Sequence, residues 1–301
     1  MSVCVFTNCP APDPGPQDRC LGCSSLLLGA QVRERYIIEE VRSRGKFNVS
    51  YLVHDLKAHN ATRILKELQP VSEDDPDFYS TSRSMAERLF EREARVLLTL
   101  QHRGIPRLFA TFEENNYWYL VQEYIPGQTL LEWLETRHTL VNEAEARAIL
   151  QELAQILVYL HSRTPAVIHR DIKPQNLMRA EEDHRLLLIE FAAVSQAVVD
   201  RPQTGTVIGT AGYAPAEQLY GKAVPQSDLY AAGATMLRLI TGLHPSKLYN
   251  PIERRFNWEQ HARIGPSFAE VINGLLAYEL TDRTSSAEEL IAQLAVLRPL
   301  N

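Results

Sequence analysis

Apolar, strand-prone residues gather in Tyr36–Val41 and again in Val49–His54, and the two stretches read as a pair of strands joined by a turn at Arg44-Gly45-Lys46. Ala61–Leu68 reads as a third strand, followed by a polar, acidic loop over Pro70–Ser84. Helical spacing then takes over in Met85–Leu100, where Met85, Leu89, Ala94, Leu97 and Leu98 fall on one face. Leu108–Glu113 and Trp118–Glu123 are two further strands. Beyond Gly127 the pattern is mainly helical, with a short helix over Leu130–Glu135, a long one over Glu143–His161 and a strand-like exception at Leu186–Phe191. No internal repeat is visible. A strand-rich part with one helix, then a larger helical part, predicts an α+β protein of two lobes, about 36–123 and about 128–301, joined near Tyr124–Gln128.

Composition narrows the class. The 301 residues suffice for one large unit and a small appendage, and 45% hydrophobic with 23% charged residues is ordinary for a soluble globular chain. The net charge of -6 argues against a general nucleic-acid binder, which needs a basic face. No apolar run approaches the ~18 residues of a membrane span. The N-terminus lacks the basic start and apolar stretch of a signal peptide, so a cytoplasmic protein with reduced cysteines is expected. All four cysteines, Cys4, Cys9, Cys20 and Cys23, fall in the first 23 residues with the spacing C-x4-C-x10-C-x2-C. The proline-rich segment between the pairs has too few apolar residues to build a core. Four thiolates around a structural zinc would order it, giving a zinc-ribbon-like module over residues 1–24 and a linker over 25–35. Two disulfides, four unligated thiols and a redox dithiol at Cys20-Leu21-Gly22-Cys23 are the alternatives.

The most specific chemistry lies in His169-Arg170-Asp171-Ile172-Lys173-Pro174-Gln175-Asn176. This octapeptide resembles, without a gap, the catalytic loop of protein kinases. With its surroundings the chain resembles the bacterial Ser/Thr protein kinases over roughly residues 34–296, especially a cyanobacterial group with a four-cysteine stretch ahead of the kinase domain. The resemblance implies a bilobal kinase fold with ATP in the cleft, Mg2+ or Mn2+, and a protein substrate or regulatory partner. It implies that Asp171 orients the acceptor hydroxyl and takes its proton, that Lys173 steadies the transferring phosphate, and that Asn176 binds magnesium. Lys66 matches the phosphate-binding lysine of the third strand and Glu93 its helix partner, with Glu91 the nearby competitor. Ile64 and Met178 match the residues above and below the adenine ring, Gln122 the gatekeeper, and Glu123–Ile125 the hinge. Thr210 would touch Asp171 and Lys173, Asp228 would brace the catalytic loop, and Arg283 would pair with Glu217. Ser195, Thr204 and Thr206 are candidate phosphosites.

Two places depart from the family pattern. Glu190-Phe191-Ala192 stands where the family has Asp-Phe-Gly, so Glu190 would be the second magnesium ligand with one methylene more. Magnesium demands near-ideal octahedral geometry, and alanine gives up the freedom of glycine at positive φ. In the phosphate loop, Ser43 and Asn48 stand at glycine positions and only Gly45 remains, with Lys46 and Phe47 beside it. Two functional classes follow. One is a Ser/Thr kinase of weak or atypical activity; the other is a pseudokinase that binds nucleotide or scaffolds a partner. A kinase-like fold with another phosphoryl or nucleotidyl transfer is a third reading.

Overall fold

The computed structural model describes residues 18–20, 24–44, 48–68, 83–191, 194–196 and 209–297. The chain divides into two compact units, one comprising the residues up to Thr99 with Pro106–Tyr124, the other Leu100–Ile105 with everything from Ile125 onward.

The first unit is built on an antiparallel sheet. Its strands are β1 (Gln31–Val32), β2 (Tyr36–Arg44), β3 (Asn48–Asp55), β4 (Ala61–Leu68), β5 (Leu108–Glu114) and β6 (Tyr117–Glu123), with helix α1 (Arg83–Leu97) between β4 and β5. The spatial order is β1-β2-β3-β4-β6-β5. Asn115 and Asn116, both in the left-handed region at φ 52° and 65°, make the two-residue turn between β5 and β6 that the strand twist favours. Strand alternation gives the sheet two distinct faces. Tyr51, Val53, Leu65, Tyr119 and Val121 share one face, with Leu26, Ala30, Val32, Tyr36 and Ile38 packed into the same apolar cluster. Residues 25–35, expected as a linker, thus contribute a layer of the core, and Leu27 is buried as well.

The ends of α1 and of the strand at Leu186 depart from the sequence pattern for identifiable reasons. The buried stripe of α1 takes Phe90, Glu93, Ala94, Val96 and Leu97, while Leu98 is 58% exposed. The helix ends at Leu97, so Leu98 leaves the stripe and the polar Glu93 occupies its middle. The strand expected over Leu186–Phe191 stops at Leu188, because Glu190 adopts φ 63°, which no strand residue can hold.

The second unit is mainly helical. β7 (Gly127–Thr129) leads into α2 (Leu130–Thr136), whose Thr129 and Glu132 form a capping box, and α3 (Glu143–His161) starts with the same device from Asn142 and Glu145. β8 (Val167–Ile168), β9 (Leu177–Ala180), β10 (Leu186–Leu188) and β11 (Ser195–Gln196) follow, pairing in the orders β10-β9-β7 and β11-β8. After α4 (Ala216–Leu219) comes α5 (Pro225–Thr241), buried along nearly its whole length and ended by Gly242 at φ 70°. The hairpin β12 (Tyr249–Asn250) and β13 (Arg255–Phe256), then α6 (Pro266–Leu275) and α7 (Ala287–Ala295), complete the unit. α3 packs against both α5 and α7. No helix among the described residues is long and apolar enough to cross a membrane.

Candidate active site

In the first unit, β4 lies between β3 and β6, and alternation sends Ile64 and Lys66 to the face opposite the apolar cluster. Lys66 stands opposite Ser50 on one side and Leu120 on the other; Ile64 stands opposite Gln122. The Lys66 side chain is 1% exposed, and its Nζ lies 2.8 Å from Glu93 Oε1, itself 1% exposed. α1 therefore delivers Glu93, and not Glu91, to the lysine. A buried ammonium and carboxylate are tolerable only together, since removing either leaves a charge stranded in low dielectric. Glu123 closes β6, donating its N–H to Arg107 O at 2.8 Å and accepting from Arg107 N at 3.1 Å. Gly45, with Lys46 and Phe47, lies outside the described residues.

In the second unit, the octapeptide between β8 and β9 is folded into a closed hydrogen-bond network. Thr210 Oγ1 donates to Asp171 Oδ1 at 2.7 Å, and Lys173 Nζ donates to Thr210 Oγ1 at 2.8 Å. Lys173 Nζ also lies 2.7 Å from Asp171 Oδ2. Asn176 Nδ2 donates to the backbone oxygen of Asp171 at 2.7 Å and to its Oδ2 at 2.8 Å. Both amide protons of Asn176 are thereby committed, so its Oδ1 is the atom left to meet a cation. Ile189 N donates to Asn176 O at 2.9 Å, which sets Glu190 one residue from this pairing. Met178, on β9, pairs with Leu187 and Thr129 and is half-buried, as is Ile125.

The loop is braced from beneath by Asp228, in the first turn of α5. Its carboxylate accepts the N–H groups of His169 and Arg170, each at 2.9 Å, and its Oδ2 lies 3.0 Å from His161 Nε2. Gln218 Nε2 donates to Arg170 O at 2.7 Å. These contacts hold Arg170 at φ 70°, an unfavourable conformation for a side chain with a Cβ. Arg170 and Glu190 are thus two non-glycine residues in the left-handed region at one site, the kind of backbone strain that clusters where function over-determines geometry. His169 is fully buried, its ring edge-on to Phe191 at 4.8 Å. Asp171 N donates to its Nδ1, so the proton sits on Nε2 and donates to Ile189 O at 3.2 Å. Desolvation lowers the pKa of His169 against the opposing pull of Asp228 and Asp171. Glu217 takes Arg283 at 2.7 Å and Ser227 Oγ at 2.8 Å.

The sequence did not single out His161, Gln218 or Ser227. His161 and Gln218 are common residues 67 and 48 positions from their partners, and no local pattern marks any of the three. Cys20 is buried, with its N donating to Ser25 O at 2.9 Å and its O accepting from Ser24 N at 2.8 Å; Cys4, Cys9, Cys23 and Ala192 lie outside the described residues. Among the described residues no group of three His, Cys, Asp or Glu side chains is placed to hold a metal.

A lysine–glutamate pair on a small antiparallel sheet and an Asp-Lys-Asn-Thr network in a helical unit are each what the resemblance to protein kinases implies. The protein kinase domain model matches residues 44–294, and the chain belongs to that family. It is 35% identical to serine/threonine-protein kinase B of Synechocystis over 98% of this chain and 52% of that protein. It is 36% identical to serine/threonine-protein kinase F of the same organism over 90% of this chain and 57% of the relative. With serine/threonine-protein kinase PknA of Nostoc it shares 35% identity over 86% of this chain and 47% of the relative. The chain thus spans about half the length of these curated relatives. The solved structure titled "PpkA-294 apo form" matches with a TM-score of 0.72 at 25% identity, covering 90% of this chain and 99% of that one. The protein kinase family implies ATP and Mg2+ as the reaction's partners.

Proposed function

We propose that the chain transfers the γ-phosphate of ATP to a Ser or Thr hydroxyl of a protein substrate. The observation that carries this reading is the 2.7 Å bond from Thr210 Oγ1 to Asp171 Oδ1, with Lys173 Nζ 2.8 Å from the same hydroxyl. A hydroxyl already sits between carboxylate and ammonium, as an acceptor hydroxyl must. Asp171 would align that acceptor and receive its proton, while Lys173 would balance the charge gathering on the transferring phosphoryl oxygens. Lys66, fixed by Glu93, would hold the phosphates of ATP. Ile64 and Met178 would flank its base, and the backbone of Glu123–Ile125 would meet the base edge, with Gly45 beside the phosphates. Mg2+, when bound, would neutralise phosphate charge. Asn176 Oδ1 and the Glu190 carboxylate are the hard oxygen donors suited to it, and the Ile189–Asn176 pairing places them in neighbouring segments.

A second reading, a pseudokinase acting as nucleotide-binding or scaffolding regulator, is favoured by Glu190 itself. This residue adds a methylene to the expected aspartate and sits at φ 63°. Transfer of labelled γ-phosphate to the chain itself or to a generic basic protein decides between them, run with Mg2+ and with Mn2+. Transfer abolished by Asp171→Asn is the expected outcome. Silence in the native chain but transfer in Glu190→Asp would place the defect at that methylene. Silence in both would overturn the kinase reading for the isolated chain.

The four cysteines are further proposed to hold one structural zinc in a ribbon-like module. Support comes from Cys20, which is buried and bonded through its backbone to Ser24 and Ser25. Elemental analysis should find about one zinc per chain, and chelation should lower the melting temperature. Metal-free protein with an unchanged melting temperature would refute the site.

A further inference from the structure

A buried carboxylate that takes no part in the phosphotransfer network lies next to Lys66. Glu67 follows it on β4 and, by strand alternation, points to the opposite face, where its side chain is 0% exposed. Arg19 reaches it from the N-terminal segment, with Nη2 2.7 Å from Oε2 and Nη1 3.2 Å from Oε1. The same guanidinium donates to Tyr119 Oη at 2.7 Å and to Ser24 O at 2.7 Å, and its Cζ lies 3.5 Å from the centre of the Tyr117 ring. In the β4–β6 ladder Glu67 stands opposite Tyr119, and Lys66 opposite Leu120. Arg19 therefore clamps the two strands at the rung adjoining the lysine.

We infer that Arg19 is a positioning residue for Lys66, acting through Glu67; this rests on the reading of Lys66 as the phosphate anchor. The backbone around Lys66 carries a buried carboxylate on each face, Glu93 on one and Glu67 on the other. The lysine serves ATP only while Glu93 holds it. A bidentate guanidinium on Glu67 answers the second carboxylate and leaves Lys66 to the first. Without Arg19, a desolvated carboxylate on the adjoining peptide has lost its guanidinium. Lys66 then becomes a competing counter-ion, and reaching Glu67 requires β4 to twist and the Lys66–Glu93 pair to open. The N-terminal segment thus takes part in setting the nucleotide site without touching nucleotide.

The test uses the intact chain and reads Lys66 directly. Amine acylation by an acetyl-succinimidyl ester is followed by mass spectrometry, with the exposed Lys57 as internal reference. In Arg19→Met, acylation of Lys66 should rise about tenfold, and in Arg19→Met/Glu67→Gln it should return near the native rate, because the competing charge is gone. Binding of a fluorescent ATP analogue should weaken and recover in parallel. A folded Arg19→Met chain with native Lys66 acylation overturns the inference. So does a rise that Glu67→Gln fails to reverse, which would assign Arg19 to packing alone. Should Arg19→Met not fold, Arg19→Gln carries the same comparison, since it also removes the charge while keeping a long side chain with hydrogen-bond donors. If the native chain binds no nucleotide, the kinase reading fails while the acylation result still decides the role of Arg19.

Discussion

His169 shows how one side chain links the kinase-like loop to stability. Its ring is buried, neutral and committed at both nitrogens, accepting from Asp171 N and donating to Ile189 O. Burial holds its folded pKa below the ordinary value of about 6.5. The unfolded chain therefore takes up a proton as pH falls through about 6.5, while the folded chain resists, so stability is full above that pH and is lost below it. His102 and His244 are shifted the same way, each chiefly by desolvation. Melting temperature should fall between pH 7.5 and 5.5. In His169→Phe the slope of unfolding free energy against pH should shrink by up to about 1.4 kcal/mol per pH unit. An unchanged slope would show that His169 titrates alike in both states. Asp171, Lys173 and Asn176 were legible because they are contiguous and their spacing is specific. The strain at Arg170 and Glu190 was not, because neither residue type advertises a positive φ.

At the scale of elements, the first unit's sheet depends on chain that lies ahead of the family match at residue 44. Leu26, Leu27, Ala30 and Val32 are each at most 4% exposed. At about 1.5–3 kcal/mol for each large side chain, their burial contributes on the order of 5–9 kcal/mol, comparable to the whole stability of a typical domain. A chain beginning at Arg33 should therefore lose the cooperative melting of the first unit and the protection of β3 and β4 amides from hydrogen exchange, while α3 and α5 stay protected. Native protection of β4 in that chain would show the layer to be dispensable. The sequence pattern located β2, β3, β4 and β6 well, because β-branched and aromatic residues concentrate in them between polar turns. It read residues 25–35 as a linker because three consecutive leucines carry no period. It put Leu98 on the buried face of α1 because periodicity cannot tell where a helix stops.

Across the whole molecule, each unit gathers its own set of the candidate site residues. The first holds Lys66 against Glu93 and seals the reverse side of the same strand with Arg19 and Glu67. The second gathers Asp171, Lys173, Asn176 and Thr210 and braces them on Asp228. By itself the sequence determined the class, the main strands and helices of the first unit and the octapeptide His169–Asn176, since these reside in short-range spacing and local residue pattern. It also singled out Thr210, Asp228, Glu93 and the Glu217–Arg283 pair, through resemblance. Only the tertiary structure decided that His161 and Gln218 join the brace and that Arg19 crosses to Glu67. Contacts separated by dozens of residues depend on how helices and strands pack. A buried charge is tolerated only where packing brings its counter-charge within hydrogen-bonding distance.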